Sequence, residues 1–240
     1  EKLINEINWI LNLSEDVNYR FPKIKKYDLT SDPVYVELEY YPMKTLRRSL
    51  IDGEINAEEA LKILENVFDF LFNKLYSKNI RDPMEDMTKV IYFTRIEERL
   101  EEAKRKAPIF DRIINAQNII INGKIFPNLL PVLENLKRNK KFLEILVPPK
   151  LNLIHGDMHF DNILIDKSDF SNFILVDPRG KMYNGIIEGD YAYDLGKIWH
   201  SLNGLYDFLH EGKFNLNMEI RNKTVNAEFN IAPYNSLKEY

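Results

Sequence analysis

The chain of 240 residues contains no cysteine. This absence excludes disulfide bonds, thiol catalysis and cysteine metal ligands, and it is typical of a cytoplasmic protein. No apolar run approaches the roughly 20 residues that a membrane-spanning helix needs. The opening residues, EKLINEINWILNL, are charged and helical in pattern and do not resemble a secretory signal sequence. We therefore expect a cytoplasmic protein without a membrane span.

The chain also lacks an excess of basic charge. Its formal net charge is -4 and its sequence pI is about 5.7, so no general electrostatic attraction to nucleic acid is expected. The lysine clusters alternate with glutamates, which is typical of a solvated protein face. Hydrophobic residues make up 45% of the chain and charged residues 29%, as in globular rather than disordered proteins.

Hydrophobic periodicity divides the chain into three parts. Residues 1–13 predict an amphipathic helix, and the alternating stretch VYVELEYYP, residues 34–42, predicts a strand that ends at Pro42. Residues 45–150 have a mainly helical pattern, with a short hairpin predicted at residues 118–126. Seven of the nine glycines lie between Gly156 and Gly212, and alternation in residues 214–231 predicts a second hairpin. A concentration of glycine and acidic residues at strand ends is typical of a functional site.

The stretch LIHGDMHFDNILID, residues 153–166, carries two of the four histidines. In an extended strand, the alternating residues would face one side and could form a zinc site; these are His155, Asp157, His159 and Asp161. Only His200 and His210 remain as further histidine ligands, and cysteine is absent. A metal-dependent hydrolase is therefore the less favoured hypothesis.

The same stretch has the spacing that phosphoryl transfer requires. Asp157 and Asn162 are five residues apart, and Asp177 ends the next predicted strand, FILVD. Antiparallel pairing of the two strands would return Asp177 to a position beside Asn162. Carboxylate and amide oxygens suit octahedral Mg²⁺ better than tetrahedral zinc, and a carboxylate such as Asp157 could orient an attacking hydroxyl. We predict that Asp161 and Asp166 are solvated turn residues and that Asp190 caps the following helix.

Three spaced blocks, HGDMHFDNILID, FILVDPRG and GDYAYDLGK, resemble the aminoglycoside phosphotransferase and choline kinase-like family of small-molecule kinases. The last segment is most similar to a group associated with capsular or surface polysaccharide biosynthesis. The resemblance implies an ATP- and Mg²⁺-dependent kinase that phosphorylates a hydroxyl of a small-molecule acceptor. A sugar, a polyol or an amino alcohol precursor of a surface glycan fits that expectation.

The resemblance also implies roles for individual residues. Asp157 would be the catalytic base, Asn162 and Asp177 would be Mg²⁺ ligands, and His155 and Asp194 would support the catalytic loop. The backbone of Glu39, Tyr40 and Tyr41 would receive adenine, and Glu6 would pair with the lysine that binds the nucleotide. His159 would contact phosphate or only pack within the loop, which is the favoured interpretation. Arg179 would contact a phosphate or form a structural salt bridge.

The fold implied is a protein-kinase-like α+β structure. Residues 1–42 would form a truncated small β N-lobe and residues 43–240 a mainly helical C-lobe. The glycine-rich loop and lysine strand of such kinases have no counterpart in the sequence, so we expect the chain to be part of a longer protein, in which a nucleotidyltransferase domain is fused to it or lies beside it. The fragment alone is then expected to be inactive. A catalytically idle kinase-like binding module is the alternative from a different functional class.

Overall fold

The computed structural model describes residues 1–78 and 80–231 and is a mixed α/β structure with many helices and small sheets. The chain clusters into two compact units. We call Glu1–Asp82 with Lys150–Glu211 the site unit, and Pro83–Pro149 with Gly212–Ala232 the second unit. The lobe boundary expected after residue 42 stays a prediction, and the last nine residues of the predicted C-lobe lie outside the described part of the chain.

The helices follow the predicted apolar periodicity, with two interruptions. Leu71–Leu75 and Val90–Thr94 are π-helical turns, the first after α4 and the second between α5 and α6. The helices are α1 Lys2–Leu11, α2 Glu15–Asn18, α3 Leu46–Ile51, α4 Ala57–Phe70, α5 Met87–Lys89, α6 Arg95–Lys106, α7 Pro108–Ile114, α8 Leu129–Arg138, α9 Lys140–Leu146, α10 Tyr191–Leu202 and α11 Tyr206–His210.

The strands form several small sheets within the described residues. They are β1 Ile24–Asp28, β2 Tyr35–Leu38, β3 Lys44–Thr45, β4 Asn118–Ile121, β5 Lys124–Phe126, β6 Asn152–Leu153, β7 Ile163–Asp166, β8 Asp169–Leu175, β9 Glu188–Gly189, β10 Phe214–Arg221 and β11 Thr224–Ile231. In the site unit, β1 pairs with β2, β6 pairs with β9, and β7 lies between β3 and β8. In the second unit the order is β10-β11-β4-β5.

Both predicted hairpins are confirmed. β4 and β5 turn at Asn122 and Gly123, which both have positive φ, as a two-residue hairpin loop requires. β10 and β11 pair along their whole length. The strand predicted over residues 34–42 is shorter than expected. β2 ends at Leu38, which is opposite Ile24, the first residue of its partner β1.

The core of the site unit surrounds the segment that carries the candidate site. Trp9 of α1 packs edge-on against Phe21 at 4.9 Å, and Phe70 of α4 lies 6.0 Å from Phe173 of β8, measured between ring centres. Aromatic contacts of this kind add to the gain from apolar burial. The second unit has a smaller core of its own around Phe93, Leu100, Ile114 and Leu133. Among the residues described, no helix is both long and apolar enough to cross a membrane.

Candidate active site

The segment from Ile154 to Asn162 is a bent loop rather than a strand. Gly156 has a φ of +81°, and Phe160–Asn162 forms a single 3₁₀ turn that leads directly into β7. The alternating residues of this segment therefore do not share one strand face, and the geometric premise of the zinc hypothesis fails. Within residues 1–78 and 80–231, no group of three or more His, Cys, Asp or Glu side chains is arranged to hold a metal ion.

Asp194 fixes the start of this loop from helix α10. Its Oδ2 accepts hydrogen bonds from the His155 amide at 2.9 Å and from the Tyr76 hydroxyl at 3.3 Å, and its Oδ1 accepts from the Gly156 amide at 2.7 Å. Asp194 is fully buried, and burial raises its pKa to about 7, although the two amides act in the opposite direction. A buried carboxylate that accepts three hydrogen bonds is a rigid anchor. The resemblance implied a supporting role for Asp194 in a catalytic loop, and that role stays a prediction.

His155 is a neutral structural residue in this geometry. Its Nδ1 accepts from the Asp157 amide at 3.2 Å, so Nε2 carries the proton and donates to the Val176 carbonyl at 3.0 Å. Complete burial lowers the pKa of the ring to about 4. The ring stacks on Phe21 with centres 6.2 Å apart. His155 thereby joins the loop to the strand end that precedes Asp177.

Asp157 follows this anchored turn, and its carboxylate is partly exposed. Lys197 of α10 donates to its Oδ1 at 2.8 Å, and His159 Nε2 lies 3.6 Å from its Oδ2. Burial opposes ionisation, but the contact with His159 and the hydrogen bond and positive charge of Lys197 outweigh it and hold the pKa of Asp157 well below its usual range. Asp157 is therefore an anion at neutral pH. His159 also packs beside Tyr206, with ring centres 6.1 Å apart, which fits the packing interpretation of this residue.

The pairing of β7 and β8 brings the backbone of Asn162 beside Val176, the residue before Asp177. β7 and β8 are antiparallel, with Ile163 opposite Leu175, and the Val176 amide donates to the Asn162 carbonyl at 3.0 Å. The Asn162 Nδ2 donates to the Asp157 carbonyl at 2.8 Å. The Oδ1 of Asn162 takes no part in that bond.

Asp177 has a φ of +56°, in the left-handed region that few residues other than glycine adopt. Such backbone strain clusters at functional sites.

Helix α1 brings two charged residues to Asp177. The Lys2 Nζ lies 2.8 Å from both carboxylate oxygens of Asp177. Burial and the neighbouring negative charge of Asp177 raise the pKa of Glu6 to about 7. Glu6 was expected beside a nucleotide-binding lysine. In the structure its charged neighbours are Asp177 and Lys2.

Arg179 and Gly180 attach the loop after Asp177 to its surroundings. The Arg179 amide donates to the His155 carbonyl at 2.8 Å, and its guanidinium donates to the Tyr193 hydroxyl at 3.1 Å. The guanidinium is thus bonded to a phenol, whereas the structural salt bridge expected as one alternative would require a carboxylate. Gly180 lies so close to α1 that a Cβ would be 2.4 Å from the Asn5 carbonyl, so only glycine fits there.

Within the part of the chain that the structure describes, not all of the residues predicted to receive adenine contact the loops that carry the candidate site. Glu39 and Tyr41 line a cavity of about 460 Å³ that also includes Ile10 and Phe21. The Glu39 amide donates to the Lys23 carbonyl at 2.8 Å, which extends the pairing of β1 and β2 by one bond. Tyr40 is 83% exposed. Their nucleotide role stays a prediction.

Three further aspartates test the predictions about turns and caps. Asp190 caps α10 by accepting from the Ala192 amide at 2.9 Å, as predicted. Asp166 accepts from Ser168 in the turn between β7 and β8, also as predicted. The prediction for Asp161 is right only in part: the residue lies in the 3₁₀ turn Phe160–Asn162 with its side chain 40% exposed, but that side chain also holds Arg47 at 2.6 Å and accepts from Thr45 at 3.0 Å. The ion pair depends on α3, which the local sequence around Asp161 does not reveal.

Sequence reasoning missed Lys197, Lys2 and Tyr76 as partners of the site aspartates. For Lys197 a signal existed, because residues three apart on a helix share a face and Asp194 was already expected to point towards the loop. For Lys2 the signal was similar: it lies one helical turn before Glu6 and therefore on the same face of α1. For Tyr76, at the end of the π-helical turn after α4, no local pattern marks a contact with α10.

Asn162 and Asp177 provide an oxygen donor set that fits Mg²⁺. Mg²⁺ prefers carboxylate and amide oxygens and is usually bound by one or two protein ligands together with substrate phosphates. Asn162 directly precedes β7, and Asp177 follows the end of its partner β8 by two residues, so the two residues offer ligands of the type that Mg²⁺ prefers. Lys2, which bonds Asp177, is 69% exposed at its side chain and is therefore a partner that a metal ion could displace.

No protein-family model matches the chain, and no curated protein matches it. Solved structures do match. A glucosamine kinase in one crystal form is 17% identical with a TM-score of 0.53, and the match covers 85% of this chain and 50% of that chain. A glucosamine kinase in complex with glucosamine, ADP and inorganic phosphate is 15% identical, with the same TM-score and coverage. A further crystal form is 17% identical with a TM-score of 0.52 and covers 48% of that chain.

At this level of identity the likeness concerns the fold alone. The chain has a fold similar to that of the glucosamine kinase chains that it matches, and it spans about half of their length.

Proposed function

We propose that the protein is an ATP-dependent phosphotransferase that moves the γ-phosphate of ATP to a hydroxyl of a small molecule. The observation that carries the proposal is the junction of Asp157, Asn162 and Asp177. It is made by the antiparallel pair β7 and β8 and held by the buried Asp194. The arrangement supplies an ionised carboxylate beside an oxygen donor pair, which is what in-line phosphoryl transfer requires.

Each residue has a defined task in this proposal. Asp157, held as an anion, would accept a hydrogen bond from the acceptor hydroxyl and orient it towards the γ-phosphorus. Asn162 and Asp177 would hold Mg²⁺, which when bound neutralises charge on the nucleotide phosphates. His155 and Asp194 would keep the loop rigid, so that positioning provides much of the rate gain. Arg179 and His159 are the further candidates for phosphate contact.

The acceptor proposed first is an amino sugar or a related polyol. The fold is similar to that of a kinase whose complex contains glucosamine, ADP and inorganic phosphate, and the three sequence blocks resemble a family that phosphorylates such hydroxyls. A role in surface-glycan synthesis, beside a nucleotidyltransferase domain, extends this proposal. We place the nucleotide between the predicted N-lobe, residues 1–42, and the predicted C-lobe, with adenine on the backbone of Glu39 to Tyr41.

The test is ATP consumption by the full-length protein over a panel of sugars and amino alcohols that starts with glucosamine. We expect Asp157→Asn to lower turnover by about 10²- to 10⁴-fold, the range for loss of a general base. Asp166→Asn, at the β7–β8 turn, is the matched control and should retain turnover. Equal turnover by wild type and Asp157→Asn would remove Asp157 from its role. If wild type turns over no member of the panel and binds no ADP, the idle binding module becomes the better description.

A further inference from the structure

Lys197 is the charged residue nearest to the reactive carboxylate, with its Nζ 2.8 Å from Asp157 Oδ1. It lies on α10 one turn after the buried Asp194 and next to the buried Ile198. The helix is capped by Asp190 at its start, so the base of the Lys197 side chain is fixed by the same element that fixes the loop. The side chain is 32% exposed, so it is not sealed off from solvent.

The position of the ammonium can be compared with that of the transferred group. An acceptor hydroxyl oriented by Asp157 must lie about 2.6–3.2 Å from its carboxylate, and a near-attack phosphorus lies about 3–3.5 Å from the hydroxyl oxygen. An ammonium bonded to the same carboxylate is then close enough to contact the phosphoryl oxygens. An ammonium has three N–H donors, and Lys197 pairs with Asp157 through its ammonium.

The other cations around the site are less suited to this contact. Lys2 is bonded to Asp177, on the side of the proposed metal ligands, and is mostly exposed. The Arg179 guanidinium donates to Tyr193. Lys197 is thus the half-buried cation held beside the proposed acceptor hydroxyl, where negative charge accumulates on the phosphoryl oxygens in the transition state.

We propose that Lys197 is a catalytic residue that contacts the transferred phosphoryl group and stabilises its charge during transfer. The inference rests on the proposed function and adds a residue to it. In the step, the bond between the γ-phosphorus and the β–γ bridging oxygen breaks, and that oxygen leaves with ADP. A bond forms between the phosphorus and the acceptor oxygen, whose proton passes to Asp157 and then to solvent. Lys197 keeps its own protons throughout.

The decisive test compares binding of ADP with binding of a transition-state mimic. Calorimetry would be performed on the full-length protein with ADP and Mg²⁺, alone and with aluminium fluoride, which imitates the planar phosphoryl group. We expect the affinity of Lys197→Met for ADP to be within about twofold of that of wild type. The increase in affinity that aluminium fluoride causes should be at least tenfold smaller in this variant than in wild type. Lys197→Arg, which keeps the charge, should recover part of that gain. Lys62→Met, an exposed lysine of α4, should match wild type.

Turnover separates a direct phosphoryl contact from an effect through Asp157. With the best acceptor of the panel, Lys197→Met should lower kcat by about 10²-fold, as loss of one transition-state donor does, and leave the KM for ATP unchanged. Asp157→Asn should lose turnover but keep the aluminium fluoride gain. If Lys197→Met also keeps that gain, Lys197 acts only by positioning Asp157 and the inference is overturned. Wild type that binds no ADP would overturn the proposed function, and the inference with it.

Discussion

Each of the two site aspartates has a lysine ammonium 2.8 Å from its carboxylate, but the two pairs are held differently. Asp157 lies on a loop whose amides are bonded to the buried Asp194, and its lysine comes from the same helix as Asp194. Asp177 lies two residues after β8 and has a positive φ, and its lysine is in the first turn of α1 and mostly exposed.

The difference suggests a division of tasks. A carboxylate whose charge is compensated by a half-buried lysine remains ionised and stays in one orientation, as a group that orients an acceptor must. Exposed ion pairs contribute little free energy, so the pair of Lys2 with Asp177 can be exchanged for a metal ion at small cost. Under the proposed function, the loop that carries Asp157 would therefore be the fixed half of the site and the Asp177 loop the exchangeable half.

The largest effect is expected when the anchor of the fixed half is removed. Asp194→Ala leaves the buried amides of His155 and Gly156 without their acceptor, and each such loss costs about 1–3 kcal/mol. We expect the free energy of unfolding to fall by about 3 kcal/mol, measured by urea unfolding followed through the fluorescence of the buried Trp9. Asp166→Ala, which loses only surface turn bonds, should cost less than about 1 kcal/mol. Similar losses in both variants would contradict the anchoring role.

A second change acts on the Asp177 half. Gly180→Ala places a Cβ against the Asn5 backbone in a residue with a φ of +75°, and we expect a loss of about 3 kcal/mol from backbone strain and overpacking together. Gly53→Ala is the matched control, because Gly53 has a similar φ of +66° but no neighbouring atom within 4 Å. It should lose only about 1–2 kcal/mol. Thermal unfolding of the two variants would measure the difference, and equal losses would show that α1 does not restrain this loop.

The third prediction concerns acid stability of the fixed half. The pKa of His155 is about 4 in the folded protein and near 6.5 in the unfolded chain. Between these values the unfolded state binds more protons, so the free energy of unfolding falls as the pH is lowered from 6.5 towards 4. We expect this residue to account for a loss on the order of 2 kcal/mol. His155→Gln should show a shallower pH dependence in urea unfolding at pH 7 and pH 4.5, whereas parallel curves would count against a buried neutral ring.

The smallest effect is expected at Lys2. Removing its charge by Lys2→Met should tighten binding of Mn²⁺, used as a probe for Mg²⁺, by about two- to fivefold, since exposed ion pairs are worth about 0.2–1 kcal/mol. The measurement is a Mn²⁺ titration followed by electron paramagnetic resonance. Lys62→Met should leave the affinity unchanged and Asp177→Asn should weaken it strongly. Weaker binding by Lys2→Met would mean that the two halves of the site do not differ as described.

Much of the local structure was predictable because its signals are short-range. The Asn122-Gly123 turn, the paired strands ILID and FILVD, and the cap at Asp190 each depend on residues that are neighbours in sequence. The place of Asp194 beside the loop followed from family resemblance, since no local pattern specifies a contact across 38 residues. The ion pair of Asp161 was missed because its partner Arg47 lies 114 residues away.

The sequence by itself determined the order of helices and strands in much of the chain, the absence of cysteine chemistry and the proximity of Asn162 to Asp177. These features follow from periodicity, composition and antiparallel pairing, which act over short distances along the chain. Only the tertiary structure decided which cation pairs with each aspartate, that His155 is neutral and which carboxylate is fixed. Those properties depend on burial and on side chains brought together from α1, α4 and α10, and burial and distance in space are not encoded in any single stretch of residues.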